Sequence, residues 1–247
     1  MKKLVFFILV INQFLFAQNV LDNANSLYKK GQYEEAITEY ENIFRSKKHS
    51  AELYYNLGNC YYKLNKVAPA IYNFEKALLL NPDDAEIQNN LRFAQKRTID
   101  DIKTVPKVGF SKILSDLTAR YHYNTWAWMA VGFASLFFVC FVLFYFLSKT
   151  GLKRLFFTVM ILSFISIIVC ITAAYSAKKS FDNDQPAIVF SESIGIKTEP
   201  RTTAPDSFVL HEGTKVFVLE TSNAWKKIEL LDGKKGWIPS ASIKMLK

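Results

Sequence analysis

The chain has 247 residues, enough for one or two small domains, and 50% of them are hydrophobic, which predicts that part of the chain lies in lipid. The formal net charge is +9, but most of this excess flanks hydrophobic runs instead of clustering on a folded face, which argues against a nucleic-acid-binding protein. The residues that carry the excess are Lys2, Lys3, Lys149, Lys153, Arg154, Lys178 and Lys179.

The N-terminus has the pattern of a signal peptide. Lys2 and Lys3 precede a mostly apolar stretch, residues 4–16, which Ala17 follows. This apolar length falls within the ~7–15 residues of a signal-peptide core and is short for a membrane span. We predict a signal peptide over residues 1–17, either cleaved after Ala17 or retained as an anchor. In both cases the residues that follow are exported.

Residues 18–97 contain a repeat with a 34-residue period. The clearest copy is residues 51–84, "AELYYNLGNCYYKLNKVAPAIYNFEKALLLNPDD". It resembles a tetratricopeptide repeat, and the residues that carry the resemblance are Leu57, Gly58, Tyr61, Ala70, Phe74, Ala77 and Pro82. A looser copy covers about residues 17–50, and residues 85–97 supply one capping helix. The resemblance implies five stacked helices.

The small residues of the repeat have a packing explanation. Gly58 and Ala70 lie where the two helices of a repeat cross, so the backbones can approach closely. Cys60 falls on the inner side of the first helix, where a small core residue is expected, although a reactive thiol is the alternative. The other two cysteines, Cys140 and Cys170, lie in apolar runs, so we predict no disulfide framework.

The resemblance also implies a concave groove lined by the first helix of each repeat. The residues predicted to line it are Asn25, Asn56, Asn59, Tyr62, Lys63 and Asn90. Asparagine amides both donate and accept hydrogen bonds, which suits an extended peptide, whereas the alternative is a merely solvated inner face. Leu21 and Glu86 stand where a carboxylate-binding clamp would need basic residues, so we predict no such clamp.

Two apolar runs predict a membrane hairpin. Residues 126–147 and 155–175 each exceed the ~20 residues needed to cross a bilayer. Neither run contains a charged residue or histidine, which favours an anchor over a transporter. The basic loop at 148–154 suits the cytoplasmic side, and two crossings return the C-terminus to the outside. Small residues recur along both runs and predict close helix packing: Ala127, Ala130 and Ala134 in the first, and Ser163, Ser166, Cys170, Ala173 and Ala177 in the second.

The segment before this hairpin, residues 98–125, reads as a linker. It places Phe110, Ile113, Leu114, Leu117 and Tyr121 on one helical face. We predict an amphipathic helix that lies on the outer membrane surface.

The last segment, residues 181–247, changes to short alternating runs, and Asp232-Gly233 marks a hairpin. Five short strands in a small barrel are predicted, at "AIVF", "GIK", "KVFVLE", "WKKIELL" and "GWIP". The runs "VLHEGTKVFVLE" and "WKKIEL" with "GKKGWIP" resemble a bacterial SH3 domain, which implies a cell-wall or peptide ligand. The ligand candidates are Trp225, Trp237 and Pro239, with barrel packing as the alternative for Trp237. Ser242 replaces an expected groove tyrosine, which argues against proline-rich ligands.

We find no catalytic constellation in the sequence. The three histidines, His49, His122 and His211, fall in different regions, and "HEG" at 211–213 lacks the second histidine of a zinc helix. No glycine-rich phosphate loop is present. We therefore predict neither an enzyme nor a cofactor or metal site, and a hidden Cys60 hydrolase would need a histidine held beside the thiol.

The order of segments resembles the tetratricopeptide/SH3 family of the Bacteroides aerotolerance (Bat) operons. The resemblance implies periplasmic partners among other Bat proteins, which carry von Willebrand A domains, and a role in oxygen-stress tolerance or envelope integrity. The prediction is a multidomain membrane protein: an inner-membrane, two-pass, non-enzymatic adaptor with both soluble domains in the periplasm. The alternative is a protein anchored to peptidoglycan by its SH3-like module.

Overall fold

The computed structural model describes residues 21–45, 49–102, 118 and 121–247. The chain forms two compact units. One contains the repeat region together with the C-terminal sheet, and the other, Val105–Asp184, contains the long apolar helices. The predicted fold class is confirmed: helical hairpins, an apolar two-helix hairpin and a small antiparallel sheet. The predicted signal peptide and most of the predicted amphipathic helix lie outside the described residues.

The repeat region consists of short helices. Helix α1 covers residues 21–29, followed by α2 (Tyr33–Arg45), α3 (Ala51–Lys63), α4 (Val67–Leu80) and α5 (Ala85–Gln95). The Oγ of Ser50 accepts from the Leu53 N–H at 3.1 Å and caps α3, and Asp84 caps α5 in the same way. Pro69 lies in the first turn of α4, where a missing N–H costs little, and Pro82 follows the end of that helix.

The crossing of α3 and α4 depends on Gly58. A Cβ at this position would lie 2.6 Å from two ring carbons of Phe74. Phe74 is completely buried in the core between the helices, together with Ala70 and Ala77. The close approach predicted from Gly58 and Ala70 is therefore present, and any larger side chain at position 58 forces the helices apart.

The C-terminal module is one antiparallel sheet in the order β3-β2-β6-β5-β4-β1-β7. Its strands are β1 (Pro186–Val189), β2 (Ser193–Lys197), β3 (Asp206–His211), β4 (Lys215–Ser222), β5 (Trp225–Glu229), β6 (Lys235–Pro239) and β7 (Ile243–Met245). Gly233 has a φ of +83°, and its N–H donates to the Leu230 carbonyl in the predicted hairpin turn between β5 and β6. Five strands were predicted, and β3 and β7, the two edge strands, were missed.

The repeat region and the sheet share one hydrophobic core. Ile188 of β1 and Leu246, which follows β7, are buried in the same cluster as Ile71 and Phe74 of α4. Gly213, in the turn before β4, sits against the repeat region so closely that a Cβ there would lie 2.9 Å from Thr98 Cγ2 and 3.0 Å from Ile71 Cδ1. The two sequence modules therefore fold against each other as one body.

Buried polar contacts reinforce this junction. Glu75 of α4 is buried and pairs with Lys215 of β4, with 2.7 Å between carboxylate oxygen and Nζ. Asp100 accepts from the His211 N–H at 2.7 Å and from the Thr214 hydroxyl at 2.6 Å. His211 Nδ1 lies 2.7 Å from the other Asp100 oxygen and donates, because a carboxylate only accepts. We call Asp100, His211 and Thr214 the Asp100 clasp.

Among the described residues, two helices are long and apolar enough to cross a membrane: α6 (Tyr123–Phe146) and α7 (Thr150–Asn183). The small residues of α7 face α6, because Ser163, Cys170 and Ala173 are buried. The matching expectation for α6 holds only for Ala130, which packs against the buried cluster between the two helices. Ala127 and Ala134 are exposed, and the contact face of α6 instead contains Trp126, which is buried against α7. Large side chains of one helix thus pack over the small stripe of the other, which still allows close contact.

Candidate protein-binding site

Helix α3 presents different chemistry on three sides. Tyr55, Asn59 and Tyr62 follow one helical face and line a groove with α1 and α5. Tyr54 and Tyr61 lie on another face, toward α2 and α4. Cys60 is fully buried between them in the core of the first hairpin. The run of tyrosines in "YYNLGNCYYK" thus supplies two separate surfaces.

The groove encloses a cavity of about 450 Å³. Its lining combines amide, aromatic and charged side chains from α1, α3 and α5. These residues are Tyr28, Tyr55, Asn56, Asn59, Tyr62, Lys63, Glu86, Asn90 and Phe93. A second open region of about 480 Å³ continues from it past the N-terminal ends of α3 and α5 and shares Tyr55, Asn56 and Glu86 with it. A continuous groove of this kind suits an extended chain segment.

Asparagine side chains connect the helices along the floor of the groove. Asn56 Nδ2 donates to Asn25 Oδ1 at 3.2 Å, which also accepts from the buried Tyr40 hydroxyl at 2.5 Å. Asn90 Nδ2 donates to Asn59 Oδ1 at 2.9 Å. A carboxamide carries an acceptor oxygen and two donor N–H groups, so Asn56, Asn59 and Asn90 retain hydrogen-bonding capacity while these bonds fix their orientation.

Tyr55 links this network to an acidic side chain. Its hydroxyl donates to Glu86 Oε1 at 2.5 Å and accepts from Asn90 Nδ2 at 2.9 Å. Burial, together with the hydrogen bond to Glu86, raises the pKa of Tyr55 to about 12, so the hydroxyl stays protonated at neutral pH. These hydrogen bonds fix the rotamers of Tyr55, Glu86 and Asn90 before any ligand binds, which lowers the entropy cost of binding.

The two ends of the groove carry opposite charge. Lys63 lies at the end formed by the C-termini of α3 and α5, where Arg97 stacks 3.9 Å above the Tyr62 ring and donates to Asn65 at 2.9 Å. Glu52, Asp84 and Glu86 line the end formed by the helix N-termini. An extended ligand with a charge gradient of its own would therefore bind in one direction.

The predicted groove residues do not all reach the cavity. Asn56, Asn59, Tyr62, Lys63 and Asn90 line it, whereas Asn25 lies behind them and holds Tyr40 and Asn56. Four lining residues, Tyr28, Tyr55, Glu86 and Phe93, were not among the predicted set. Of these, Glu86 was considered only as a position where a carboxylate-binding clamp would need a basic residue.

Cys60 has the environment of a core residue. Its side chain is fully buried among Tyr40, Leu53 and Leu57. Burial raises the pKa of the Cys60 thiol to about 12, so it carries almost no thiolate at neutral pH. These properties favour the structural interpretation of Cys60 over a nucleophile.

The three ligand candidates of the sheet share one face. Trp225 of β5 pairs directly with Pro239 of β6, and Lys227 pairs with Trp237, so alternate residues of the two strands stand together. Trp225, Trp237 and Pro239 are all half-buried, and Lys227 Nζ lies 5.8 Å above the Trp237 ring. Ile228 and Ile238 point to the opposite face and are completely buried.

Comparison with protein families supports both modules. A tetratricopeptide repeat model matches residues 51–84, and a second repeat model of the same class matches residues 24–65. A bacterial SH3 domain model matches residues 192–244. No curated protein matches the chain. Modules of these two types point to protein binding or a cell-envelope role and are typically not catalytic.

Proposed function

We propose that this protein is a non-enzymatic, membrane-anchored adaptor that binds other proteins through its repeat groove. The observation that carries the proposal is the set of pre-oriented amides between ends of opposite charge, in the groove between α1, α3 and α5. Such a surface offers donors and acceptors to a peptide backbone without the thiolate, metal cluster or phosphate loop that chemistry would need. The SH3-like module supplies a second binding surface on the same body.

The shared core supports a two-pass arrangement in the inner membrane. The repeat region precedes the apolar helices, the sheet follows them, and Ile188 and Ile71 lie in one cluster. Segments that share a core must lie on the same side of the bilayer, so the intervening chain crosses it an even number of times. With an exported N-terminus, both modules lie in the periplasm and the basic loop lies in the cytoplasm.

The family resemblance gives this adaptor a specific setting. We propose partners among the Bat complex proteins and a role in oxygen-stress tolerance or envelope integrity. Anchoring the groove to one membrane patch raises the effective concentration of membrane-bound partners, so modest affinities suffice.

Crosslinking in native membranes tests the groove. We expect Asn56→Ala/Asn59→Ala to reduce recovery of crosslinked partner proteins about tenfold or more, because both the direct hydrogen bonds and the orientation of Asn90 are lost. Asn42→Ala, an exposed position on α2, is the matched control and should leave recovery unchanged. The thermal midpoint of each variant separates loss of binding from loss of fold. If the double variant recovers as many crosslinked partner proteins as the native chain, the groove is not the binding site.

The alternative is a peptidoglycan-binding protein, and one observation favours it. Trp225, Trp237 and Pro239 form a half-buried apolar strip on one face of β5 and β6, and aromatic faces of this kind can stack on sugar rings. The same crosslinking experiment distinguishes the two functions. Wall fragments recovered in place of proteins, and lost with Trp225→Ala, would favour the alternative.

A further inference from the structure

A second cavity lies on the α2–α4 side of the repeat region, away from the groove. Its volume is about 250 Å³. Its walls are mainly aromatic and come from both modules, because Phe190, which follows β1, faces side chains of the repeat helices. The aromatic residues are Phe44, Tyr54, Tyr61, Tyr72 and Phe190.

The aromatic walls are held in place by contacts within the protein. The Tyr72 and Phe190 rings meet edge to face, with 5.8 Å between centroids, and so join the two modules at the cavity. On the opposite wall, the Phe44 and Tyr54 rings are 4.7 Å apart. The Tyr61 hydroxyl donates to Glu41 at 2.9 Å. The cavity is thus a formed site in which the hydroxyls of Tyr54 and Tyr61 already have hydrogen-bond partners.

Positive charge borders the side of the cavity formed by Tyr72 and Phe190. Lys244 of β7 lies with its Nζ 4.3 Å above the Phe190 ring, and Lys76 lies 5.8 Å above the Tyr72 ring. Neither ammonium forms an ion pair with a carboxylate in the described part of the chain. The carboxylate of Glu41, which accepts from the Tyr61 hydroxyl, lies on the other wall, away from the Lys244 edge. The Lys244 edge therefore favours an anionic group next to an apolar one.

We propose that this cavity binds a segment of a partner protein that inserts one aromatic or branched apolar side chain between the rings and places a neighbouring carboxylate beside Lys244. The volume is below the ~300 Å³ at which small-molecule and cofactor pockets begin, and it suits a single anchor residue. Rigid aromatic pockets that bury one anchor, with a charged group at the rim, are typical of protein–protein hot spots. The site does not depend on the groove function, because the two surfaces share no lining residue.

Selection of displayed random peptides against the detergent-solubilised full chain tests the proposal. We expect a class of peptides with an aromatic or branched apolar residue beside Asp or Glu. Their affinity should fall about tenfold or more with Lys244→Glu and be retained with Lys244→Arg, since a cation at the rim is what matters. Lys244 is exposed, so neither variant should disturb folding. Tyr72→Leu, which removes one ring from the wall, should also weaken this class.

A groove variant makes the two sites distinguishable. Asn59→Ala should leave this class of peptides unaffected, even though it weakens binding to the groove. Selected peptides that lack acidic residues, that tolerate Lys244→Glu, or that all lose affinity with Asn59→Ala would overturn the proposal. Binding of purified wall glycan that depends on Tyr72 and Lys244 would overturn it as well, because the cavity would then be a sugar site.

Discussion

Replacing Gly213 by alanine should separate the SH3-like sheet from the repeat region. The new Cβ would lie 2.9 Å from Thr98 Cγ2, 3.0 Å from Ile71 Cδ1 and 3.1 Å from Val67 Cγ1, and the backbone φ of +85° is itself unfavourable for a side chain. Overpacking of a tight contact costs about 1–3 kcal/mol. We expect a lower thermal midpoint and faster amide hydrogen exchange in both α4 and β4, because both surround the contact.

Gly233→Ala provides a matched control for this variant. Gly233 has nearly the same φ, +83°, but an added Cβ would meet nothing within 4 Å. The backbone strain of the two variants should therefore be similar, and the difference between them isolates the contact between modules. Equal destabilisation by both variants would show that the Gly213 contact contributes nothing to the junction.

Removing the carboxylate of Asp100 should have the second large effect. Asp100→Ala leaves the His211 N–H and the Thr214 hydroxyl without their acceptor at a site where the aspartate side chain is only 13% exposed. Hydrogen bonds to a charged group contribute about 1.5–3 kcal/mol each, so we expect a loss of about 2–5 kcal/mol in the free energy of unfolding. Asp101→Asn, at the exposed neighbouring position, should change it little. Chemical denaturation of the solubilised chain measures both.

The Asp100 clasp also predicts the pH dependence of this effect. Burial alone would raise the pKa of Asp100, but the hydrogen bonds from Thr214 and His211 outweigh burial and leave the pKa below its usual value. A depressed folded-state pKa contributes stability above the unfolded value of about 3.9, and this contribution is lost as the pH falls through the folded value. The difference in stability between the native chain and Asp100→Ala should therefore shrink below about pH 4. A difference that stayed constant in acid would contradict this account.

Local periodicity made much of the repeat region predictable. Small residues at fixed spacing, such as Gly58 and Ala70, have one structural use in a helical hairpin, and the structure places both in the core. The same reasoning predicted that Cys60 is a small core residue, and its side chain is fully buried. In the apolar hairpin of α6 and α7 it succeeded for Ser163 and Cys170 but failed for Ala127, because a stripe of small residues on one helix suffices when the other helix contributes large side chains.

The missed strands lacked a usable pattern. In β3, the residues Asp206, Ser207 and Val209 are exposed. Apolar and polar residues therefore alternate little along this edge strand, and the sequence gives no clear period of two. The other missed strand, β7, has 3 residues, too few to show a period. Edge strands carry less of the hydrophobic pattern because one of their sides has no neighbour within the sheet.

The junction between modules could not be predicted from the sequence. Asp100 and His211 are separated in sequence by both apolar helices, and no local pattern marks either residue as a contact. The same holds for Tyr72 and Phe190 at the second cavity. Contacts of this kind depend on which surfaces remain apolar after each module has formed, and this is a property of the tertiary structure. Only the three-dimensional arrangement showed that the two predicted modules form one compact unit.

We propose that the repeat region and the SH3-like sheet lie on the same side of the membrane and that the apolar hairpin anchors them. Single cysteines at Lys30, Thr203 and Lys149, all exposed, can be labelled with a membrane-impermeant maleimide in spheroplasts; the native cysteines are buried. We predict that Lys30→Cys and Thr203→Cys react in intact spheroplasts, whereas Lys149→Cys reacts only after permeabilisation. Labelling of just one of the two module positions in intact spheroplasts, or of Lys149→Cys alone, would contradict the account.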